Sequence, residues 1–298
     1  MTLNKLRYDV ADYRKKRVII DTDAACEGDD PFAIVHALIS KMLVVKGITA
    51  EHFVAEGSME ASYQVCRTIV DVLDCDVPVL RGQTGPIKDN RDEALSEASE
   101  FIIQEAMRDD PMELYVLCIG AITNVAKAIL ARPEIVQHMK IVWIGCCPFD
   151  GAEAVYEFNS ANDVEAANVV LQCGGDVRVI PNTVYGTMHI GFAEIQRRIA
   201  GCGEIGRFLY ENLIAFYESE NAGWSAGESW SLGDSPAVGV CLEPNCGSRI
   251  QIQAPFIRDD FTYEKKNDAK TVTMYTNINS RFILEDLICK LEILFENA

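Results

Sequence analysis

Five of the ten residues in the stretch DTDAACEGDD, from 21 to 30, are acidic. They are Asp21, Asp23, Glu27, Asp29 and Asp30. Carboxylates at so small a spacing repel one another unless a cation binds among them or water surrounds them. The stretch therefore predicts either a metal site or a solvated loop that caps the helix beginning near Pro31. Capping would use Asp29 and Asp30, which favour a helix N-terminus, and would leave the other three acids without a role.

Two more positions could complete a metal site. A hard cation such as calcium takes about six to eight oxygen ligands from carboxylates, backbone carbonyls and water, so one loop rarely provides them all. Ile119 lies near the end of an apolar run and could direct its backbone carbonyl into the site. Asp234 follows a Gly/Ser-rich loop just ahead of an apolar helix. A role as the N-cap of that helix explains Asp234 equally well.

The stretch YEFNSAND places Glu157, Asn159 and Asn162 immediately before another predicted helix. Amides and carboxylates there suit hydrogen bonds to a polyhydroxylated ligand such as a sugar. Helix capping by Asn162 or Asp163 is the alternative, and the stretch alone does not decide between them. Several polar stretches at several predicted strand ends favour a binding site.

The elements that must position these residues alternate between short strands and longer helices. The strand segments are apolar and continuous, as strands covered on both faces are, and the helical segments have apolar residues near helical spacing. The predicted strands are 17–21, 43–49, 77–80, 113–120, 140–145 and 177–181, and the predicted helices are 30–40, 58–73, 95–108, 122–131 and 163–173. This order predicts an α/β fold with a mainly parallel open sheet flanked by helices on both faces. Such sheets bind ligands beyond the carboxyl ends of their strands.

The pattern is less regular beyond about residue 190. We expect a helical stretch at 193–220, then a Gly/Ser-rich loop that leads into a helix. A closing pair of strands at 249–256 and 271–278 and an amphipathic helix at 282–296 follow. Because no linker, repeat or low-complexity segment divides the chain, residues 1–298 are expected to form a single domain.

Composition limits the partners. The formal net charge of −18 argues against nucleic acid or an anionic membrane surface, since both attract Lys and Arg. The N-terminus lacks the apolar core of a secretory signal, and no run of 18 apolar residues occurs, so a cytoplasmic protein is expected. Most of the eleven cysteines lie in apolar runs, where a reduced cysteine packs as a small core residue.

The chain resembles the inosine-uridine-preferring nucleoside hydrolases over most of residues 17–240. Four segments match in order and rough spacing: VIIDTDAACEGDDPFAIVHAL, VLCIGAITNVAKAILARPEI, YEFNSANDVEAANVVLQCGGDVRVIP and GDSPA. The resemblance implies a nucleoside hydrolase-like fold and calcium as the cofactor. The implied reaction is cleavage of the N-glycosidic bond of a ribonucleoside or related riboside, which is a small-molecule substrate. A homodimer or homotetramer is implied as well.

The resemblance also implies a role for each matching metal-site residue. Asp23 and Asp30 would bind calcium through their carboxylates, Ile119 through its backbone carbonyl, and Asp234 would close the site. Asp23 would in addition be the general base that takes a proton from a calcium-bound water.

The implied sugar-binding residues are Asp29, which would hold the ribose 2′-hydroxyl, and Glu157 and Asn159, which would bind the other ribose hydroxyls. Asp21 would support the loop from behind. Surrounding carboxylates would stabilise the positive charge of an oxocarbenium-like transition state.

Three departures from the family pattern stand in or near this predicted site. Five residues, AACEG, separate Asp23 from Asp29 where family members usually have three, so the loop must bulge and Glu27 becomes a candidate site residue. Gly233 stands where a histidine often assists the leaving base, and the segment GITAEHF lacks an Asn that commonly contacts ribose. The candidate replacements for the histidine are Glu228, Trp230 and His189, and those for the Asn are Glu51 and His52.

Three functions remain open from the sequence. The first is a calcium-dependent N-glycosidic hydrolase, favoured by Asp23 because a pure binder needs no base. The second is a calcium-dependent sugar- or nucleoside-binding protein with little or no catalysis, favoured by Gly233. The third is a phosphatase with Asp21 as the nucleophile and magnesium as the ion, against which Asp29, Asp30 and the YEFN stretch argue.

Overall fold

The computed structural model describes residues 3–90, 93–149 and 156–295. Its strands are β1 (Lys16–Thr22), β2 (Leu43–Ala50), β3 (Val79–Leu80), β4 (Leu114–Cys118), β5 (Met139–Ile144), β6 (Asp176–Ile180), β7 (His189–Gly191), β8 (Ser229–Ser231), β9 (Arg249–Gln253), β10 (Phe256–Ile257), β11 (Tyr263–Glu264) and β12 (Thr271–Tyr275). Its α-helices are α1 (Asp30–Leu38), α2 (Ser58–Val72), α3 (Glu97–Ala106), α4 (Thr123–Ala131), α5 (Phe158–Asn162), α6 (Val164–Leu171), α7 (Asn182–Tyr185), α8 (Phe192–Arg198), α9 (Gly203–Tyr217), α10 (Ser235–Leu242) and α11 (Ser280–Phe295).

Eight strands form one sheet in the order β3-β2-β1-β4-β5-β6-β12-β9. Every neighbouring pair is parallel except β12 with β9, which is antiparallel. The predicted α/β class with a mainly parallel sheet is therefore confirmed, and so is the closing pair of strands. In the register of the sheet, Asp21 of β1 lies opposite Thr49 of β2 and Cys118 of β4, so these three strands end side by side.

Successive residues of β1 face two different cores. Val18 and Ile20 pack in one apolar cluster with residues of α1, α9 and α11, whereas Ile19 packs in a second cluster with residues of α4 and α6. Because side chains alternate across a strand, one apolar run supplies both clusters. Helices therefore cover both faces of the sheet, as predicted.

The expected helical stretch at 193–220 needs a correction. It consists of two helices, α8 and α9, which are separated by a turn. Gly203, the first residue of α9, has a φ of 65°, a left-handed conformation that glycine adopts without strain and that interrupts a right-handed helix. The sequence analysis also missed the short antiparallel pairs β7 with β8 and β10 with β11. That the whole chain forms one domain stays a prediction.

Candidate active site

A cleft opens beyond the carboxyl ends of β1, β4 and β5. The loop after β1 forms one wall, and α5, α7 and the loop before α10 contribute the others. Its lining residues are Asp23, Cys26, Glu27, Asp29, Asp30, Ile119, Ile144, Glu157, Phe158, Asn159, Tyr185, Gly233 and Asp234. The structure therefore brings together the residues that the sequence analysis assigned to metal and sugar, from segments more than 200 positions apart.

Three carboxylates form the tightest group in the cleft. Asp29, Asp30 and Asp234 each offer one oxygen, and these oxygens all lie within 4.8 Å of one another. The sequence analysis assigned Asp30 and Asp234 to the metal but Asp29 to the sugar, so the geometry adds Asp29 to the possible metal ligands. Asp29 and Asp234 occupy the N-cap positions of α1 and α10, yet neither side chain makes a capping hydrogen bond. Capping therefore does not explain these two acids.

Asp23 contributes a fourth carboxylate. Its side chain is 3% exposed, and no described group donates a hydrogen bond to its Oδ2. Gly120, which follows β4, makes room for it, because a Cβ there would lie 2.6 Å from Asp23 Oδ1. The backbone carbonyl of Gly120 is held in turn by Trp143 Nε1, at 3.1 Å. A larger residue at position 120 would displace the carboxylate.

Most acids of the cleft have raised pKa values, because they are buried close to one another. Burial and the neighbouring charge of Asp30 raise the pKa of Asp23 and, to about 7, that of Glu27. Burial likewise raises the pKa of Asp30 to about 6 against the hydrogen bond from Thr22 Oγ1, at 2.5 Å. The pKa of Asp234 is raised by burial and by the charges of Asp29 and Asp30. Lys, Arg and His are absent from the described residues that line the cleft.

A hard divalent cation fits this chemistry. The cleft offers carboxylate oxygens from several chain segments and the backbone at Ile119, and one buried Asp23 oxygen lacks a donor within the described part of the chain. Oxygen ligands of this kind suit calcium or magnesium rather than zinc. Positive charge at this position would satisfy the free Asp23 oxygen and relieve the repulsion among the acids.

Glu157 is saturated with hydrogen bonds inside the protein. Its Oε1 accepts from Tyr185 Oη at 2.9 Å and from the backbone N–H of Asn159 at 3.1 Å. Its Oε2 accepts from the backbone N–H groups of Cys146 at 2.7 Å and Ser160 at 2.9 Å, and from Ser160 Oγ at 2.8 Å. Five donors fill the lone pairs of one carboxylate. Glu157 is thus the N-cap of α5 and also part of the cleft wall.

The other residues of the YEFNSAND stretch have separate positions. Asn159 lines the cleft, and its Nδ2 donates to the carbonyl of Ile144 at 3.0 Å. Asp163 is the N-cap of α6, where its side chain accepts from the backbone N–H of Ala166 at 3.0 Å. The capping alternative is therefore correct for Asp163, whereas Asn162 is buried and makes no hydrogen bond through its side chain to any described group.

The model of the inosine-uridine preferring nucleoside hydrolases matches residues 18–283. The chain belongs to that family. Among curated relatives, it is 27% identical over 278 residues to uridine nucleosidase 1 of Arabidopsis thaliana, covering 85% of this chain and 77% of the relative. It is 28% identical over 252 residues to the pyrimidine-specific ribonucleoside hydrolase RihA of Salmonella arizonae, covering 75% and 77%.

A solved structure agrees with the fold of the family. The purine-preferring ribonucleoside hydrolase from Gardnerella vaginalis superposes with a TM-score of 0.77 at 22% identity, covering 95% of this chain and all of that one. The predicted resemblance is therefore confirmed, at the low identity of a divergent member. Across the described residues, the helices are all too short or too polar to cross a bilayer.

The extra residues of the first loop lie inside the cleft region. Cys26 and Glu27 line the cleft, so Glu27 does enter the site region as the loop length suggested. Gly28 packs against α9, where a Cβ would lie 2.5 Å from Leu213 Cδ1 and 3.0 Å from its Cα. Because position 28 is a glycine, the longer loop can pack directly against α9.

The two residues that could replace the family Asn lie outside the cleft. Glu51 and His52, the candidate replacements for the family Asn, are buried and do not line it. Glu51 Oε1 accepts from the backbone N–H of Asn124 at 2.6 Å, and His52 Nε2 lies 2.8 Å from Thr123 Oγ1. Both therefore bind the first turn of α4, and neither is placed to contact a ligand.

The three candidates for a leaving-group acid also lie outside the cleft wall. Trp230 is buried against other aromatic rings, whereas Glu228 and His189 are exposed near the β7–β8 pair. Tyr185, which the sequence analysis did not single out, lies beside Gly233 instead. It follows β6, so the rule that ligands bind beyond strand ends could have found it.

Asp21 lies behind the loop. It is completely buried, and its Oδ1 accepts from Thr49 Oγ1 at 2.6 Å and from Asn124 Nδ2 at 3.0 Å. It does not line the cleft. A buried carboxylate with these partners cannot attack a phosphate in the cleft, so the structure disfavours the phosphatase alternative.

Proposed function

We propose that this chain is a calcium-dependent hydrolase that cleaves the N-glycosidic bond of a ribonucleoside or a related riboside. The observation that carries the proposal is the Asp23 carboxylate, buried beside the group of Asp29, Asp30 and Asp234 with one oxygen that no described residue satisfies. Membership of the nucleoside hydrolase family supports the reaction class. The relatives differ in their named preference for purine or pyrimidine, so the base is left open.

The metal ligands in this proposal are Asp23, Asp30, Asp234 and the backbone carbonyl of Ile119. Calcium, when bound, lowers the pKa of a water ligand and orients it. Asp23 would accept a proton from the attacking water through its free oxygen, and the glycine at position 120 leaves room for this carboxylate. The same carboxylates stabilise positive charge that develops on the sugar as the C–N bond breaks.

The sugar contacts follow from the cleft wall. Asp29 accepts the ribose 2′-hydroxyl, and Asn159 binds another hydroxyl. Glu157 reaches a hydroxyl only if one of its five internal donors gives way, so we assign it first to holding Tyr185 and the start of α5 and only second to the sugar.

The experiment is to measure ribose release from a panel of nucleosides in calcium and in a calcium chelator. We expect release only with calcium. Asp23→Asn should lower kcat by a factor of about 100 or more, the contribution typical of a positioned base, while calorimetry still detects calcium binding. Asp71→Asn, an exposed change on α2, is the matched control. Full activity of Asp23→Asn would disprove its role as the base.

Calcium binding without ribose release from any substrate would instead support the binding-protein alternative. We also propose a cytoplasmic protein that acts on small molecules and not on nucleic acid or membranes, and that forms a homodimer or homotetramer. Sedimentation velocity measures the last property directly, and a monomer at micromolar concentration would contradict it.

A further inference from the structure

Tyr185 occupies the space that a side chain at position 233 would fill. A Cβ built on Gly233 would lie 3.1 Å from Tyr185 Cδ2 and 3.4 Å from Asp29 Oδ2. The φ of Gly233 is not in the left-handed region, so the backbone itself does not require glycine there. What glycine provides is room for the aromatic ring, which would have to shift by a few tenths of an ångström to admit even a Cβ.

The hydroxyl of Tyr185 is already engaged. It donates to Glu157 Oε1 at 2.9 Å, and the other four donors to Glu157 fix that carboxylate in place. Burial and then the charge of Glu157 raise the pKa of Tyr185, so the phenol keeps its proton. The ring therefore faces the cleft as an aromatic surface, and its one proton points to Glu157.

The position of this ring relative to a substrate rests on the proposed function. If Asp29 holds the ribose 2′-hydroxyl, the anomeric carbon is the next atom of the sugar ring, and the leaving group projects from that carbon. A Cβ at position 233 would touch both Asp29 and Tyr185, so Gly233 lies between these two side chains in the cleft wall. The leaving group would therefore lie against Tyr185.

Cys26 and Glu27 of the first loop also line the cleft. Glu27 is the remaining carboxyl of the inserted residues, and it lies among the acids that would surround the metal. The variant Glu27→Gln tests whether this carboxyl donates a proton to the leaving group.

We propose that Tyr185, seated over Gly233, is the wall against the leaving group and gives it no proton, so that this enzyme prefers ribosides whose base departs unprotonated. N-ribosyl pyridinium cations are the chemical class that fits best. Six carboxylates line the cleft, namely Asp23, Glu27, Asp29, Asp30, Glu157 and Asp234. The described residues that line the cleft include no Lys, Arg or His that would repel a cationic substrate.

Hydrolysis of an N-ribosyl pyridinium needs no general acid. The water oxygen bonds to the anomeric carbon, the C–N bond breaks, and its electron pair goes to the ring nitrogen, which turns a pyridinium into a neutral pyridine. The proton from water goes to Asp23. A purine or pyrimidine leaves as an anion unless it receives a proton, and the loss of that proton transfer typically costs a factor of about 100 to 10,000.

The first test uses the unaltered full chain with calcium and three probes: N-ribosylnicotinamide, p-nitrophenyl riboside and inosine. We expect kcat/KM for the first two to exceed that for inosine by at least about 100-fold. Equal values for all three would overturn the inference and leave the proposed hydrolase intact. Absence of ribose release from every probe would instead refute the proposed function.

Variants then test whether Tyr185 or Glu27 donates a proton to the leaving group. Tyr185→Phe and Glu27→Gln should each lower kcat/KM by the same factor for all three probes. A loss confined to inosine in either variant would make that residue the acid and overturn the inference. The double variant Tyr185→Ala with Gly233→His should lower the ratio of N-ribosylnicotinamide to inosine by at least tenfold relative to Tyr185→Ala alone. Calcium binding by each variant, measured by calorimetry, verifies that the cleft is folded.

Discussion

Removal of calcium should destabilise this protein more at alkaline than at acidic pH. The acids of the cleft are buried together, so without a cation the folded state keeps protons that the unfolded chain loses. A carboxyl whose pKa is raised by folding contributes stability below its unfolded pKa, and that stability is lost as the pH rises through the folded pKa. Bound calcium would offset the charge of the cleft carboxylates in place of these protons, and so restore the lost free energy of unfolding.

The size of the effect follows from two of the carboxyls. Folding raises the pKa of Asp30 from 3.8 to about 6, with burial as the largest cause, and that of Glu27 from 4.5 to about 7. At about 1.4 kcal/mol for each pH unit, the free energy lost between pH 5 and pH 8 is about 1.4 kcal/mol for Asp30 alone and about 2.5 kcal/mol for Glu27 alone. The two groups repel each other, so we take about 3 kcal/mol for their joint contribution and not the full sum.

The assay is thermal unfolding at pH 5 and pH 8, each in calcium and in chelator. For a chain of this length about 1 kcal/mol shifts Tm by about 2 °C. The increase in Tm on adding calcium should therefore be about 6 °C larger at pH 8 than at pH 5. Asp234→Asn, which removes one acid of the group, should give a smaller increase at both values. An increase that is the same at both pH values, or larger at pH 5, would refute the reasoning.

Two further predictions concern the free energy of unfolding. Arg17 and Glu105 form an ion pair that is 3% and 1% exposed, so Glu105→Gln should cost about 3 kcal/mol in urea denaturation. The control Asp71→Asn, which breaks the exposed pair with Arg67, should cost less than about 0.5 kcal/mol, and equal costs would contradict the argument. Asp74 follows α2 with a φ of 46°, so Asp74→Gly should be about 1 kcal/mol more stable than Asp74→Ala in the same assay, and the reverse order would contradict it.

Much of the fold could be predicted because the strands of the central sheet are buried on both faces. Such strands form continuous apolar runs, as in 17–21 and 113–120, and their alternation with helices permits few topologies. The same topology predicts where ligands bind, which is why the acids after β1 and Asp234 could be assigned to one place from the sequence. The turn between α8 and α9 was missed because it depends on one glycine in a left-handed conformation.

The contacts that shape the cleft could not be predicted, because they join distant segments through single atoms. Tyr185 and Gly233 are 48 positions apart in the sequence, and no periodicity relates them. Gly120 is a similar case. In the sequence, a glycine after a strand indicates only a turn, and its close contact with Asp23 is known only from the structure. Spacing predicts which elements exist, whereas close approach between elements decides which residues touch.

The capping alternative shows the same limit most clearly. Asp29, Glu157, Asp163 and Asp234 all precede helices, and the sequence left helix capping open as an alternative for Asp29, Asp163 and Asp234. In the structure Glu157 and Asp163 cap their helices through the side chain, whereas Asp29 and Asp234 do not and instead face other carboxylates. A carboxylate already supplied with donors has a structural role at its helix. A carboxylate that faces other buried carboxylates needs a cation. Only the three-dimensional arrangement distinguishes these two kinds of carboxylate.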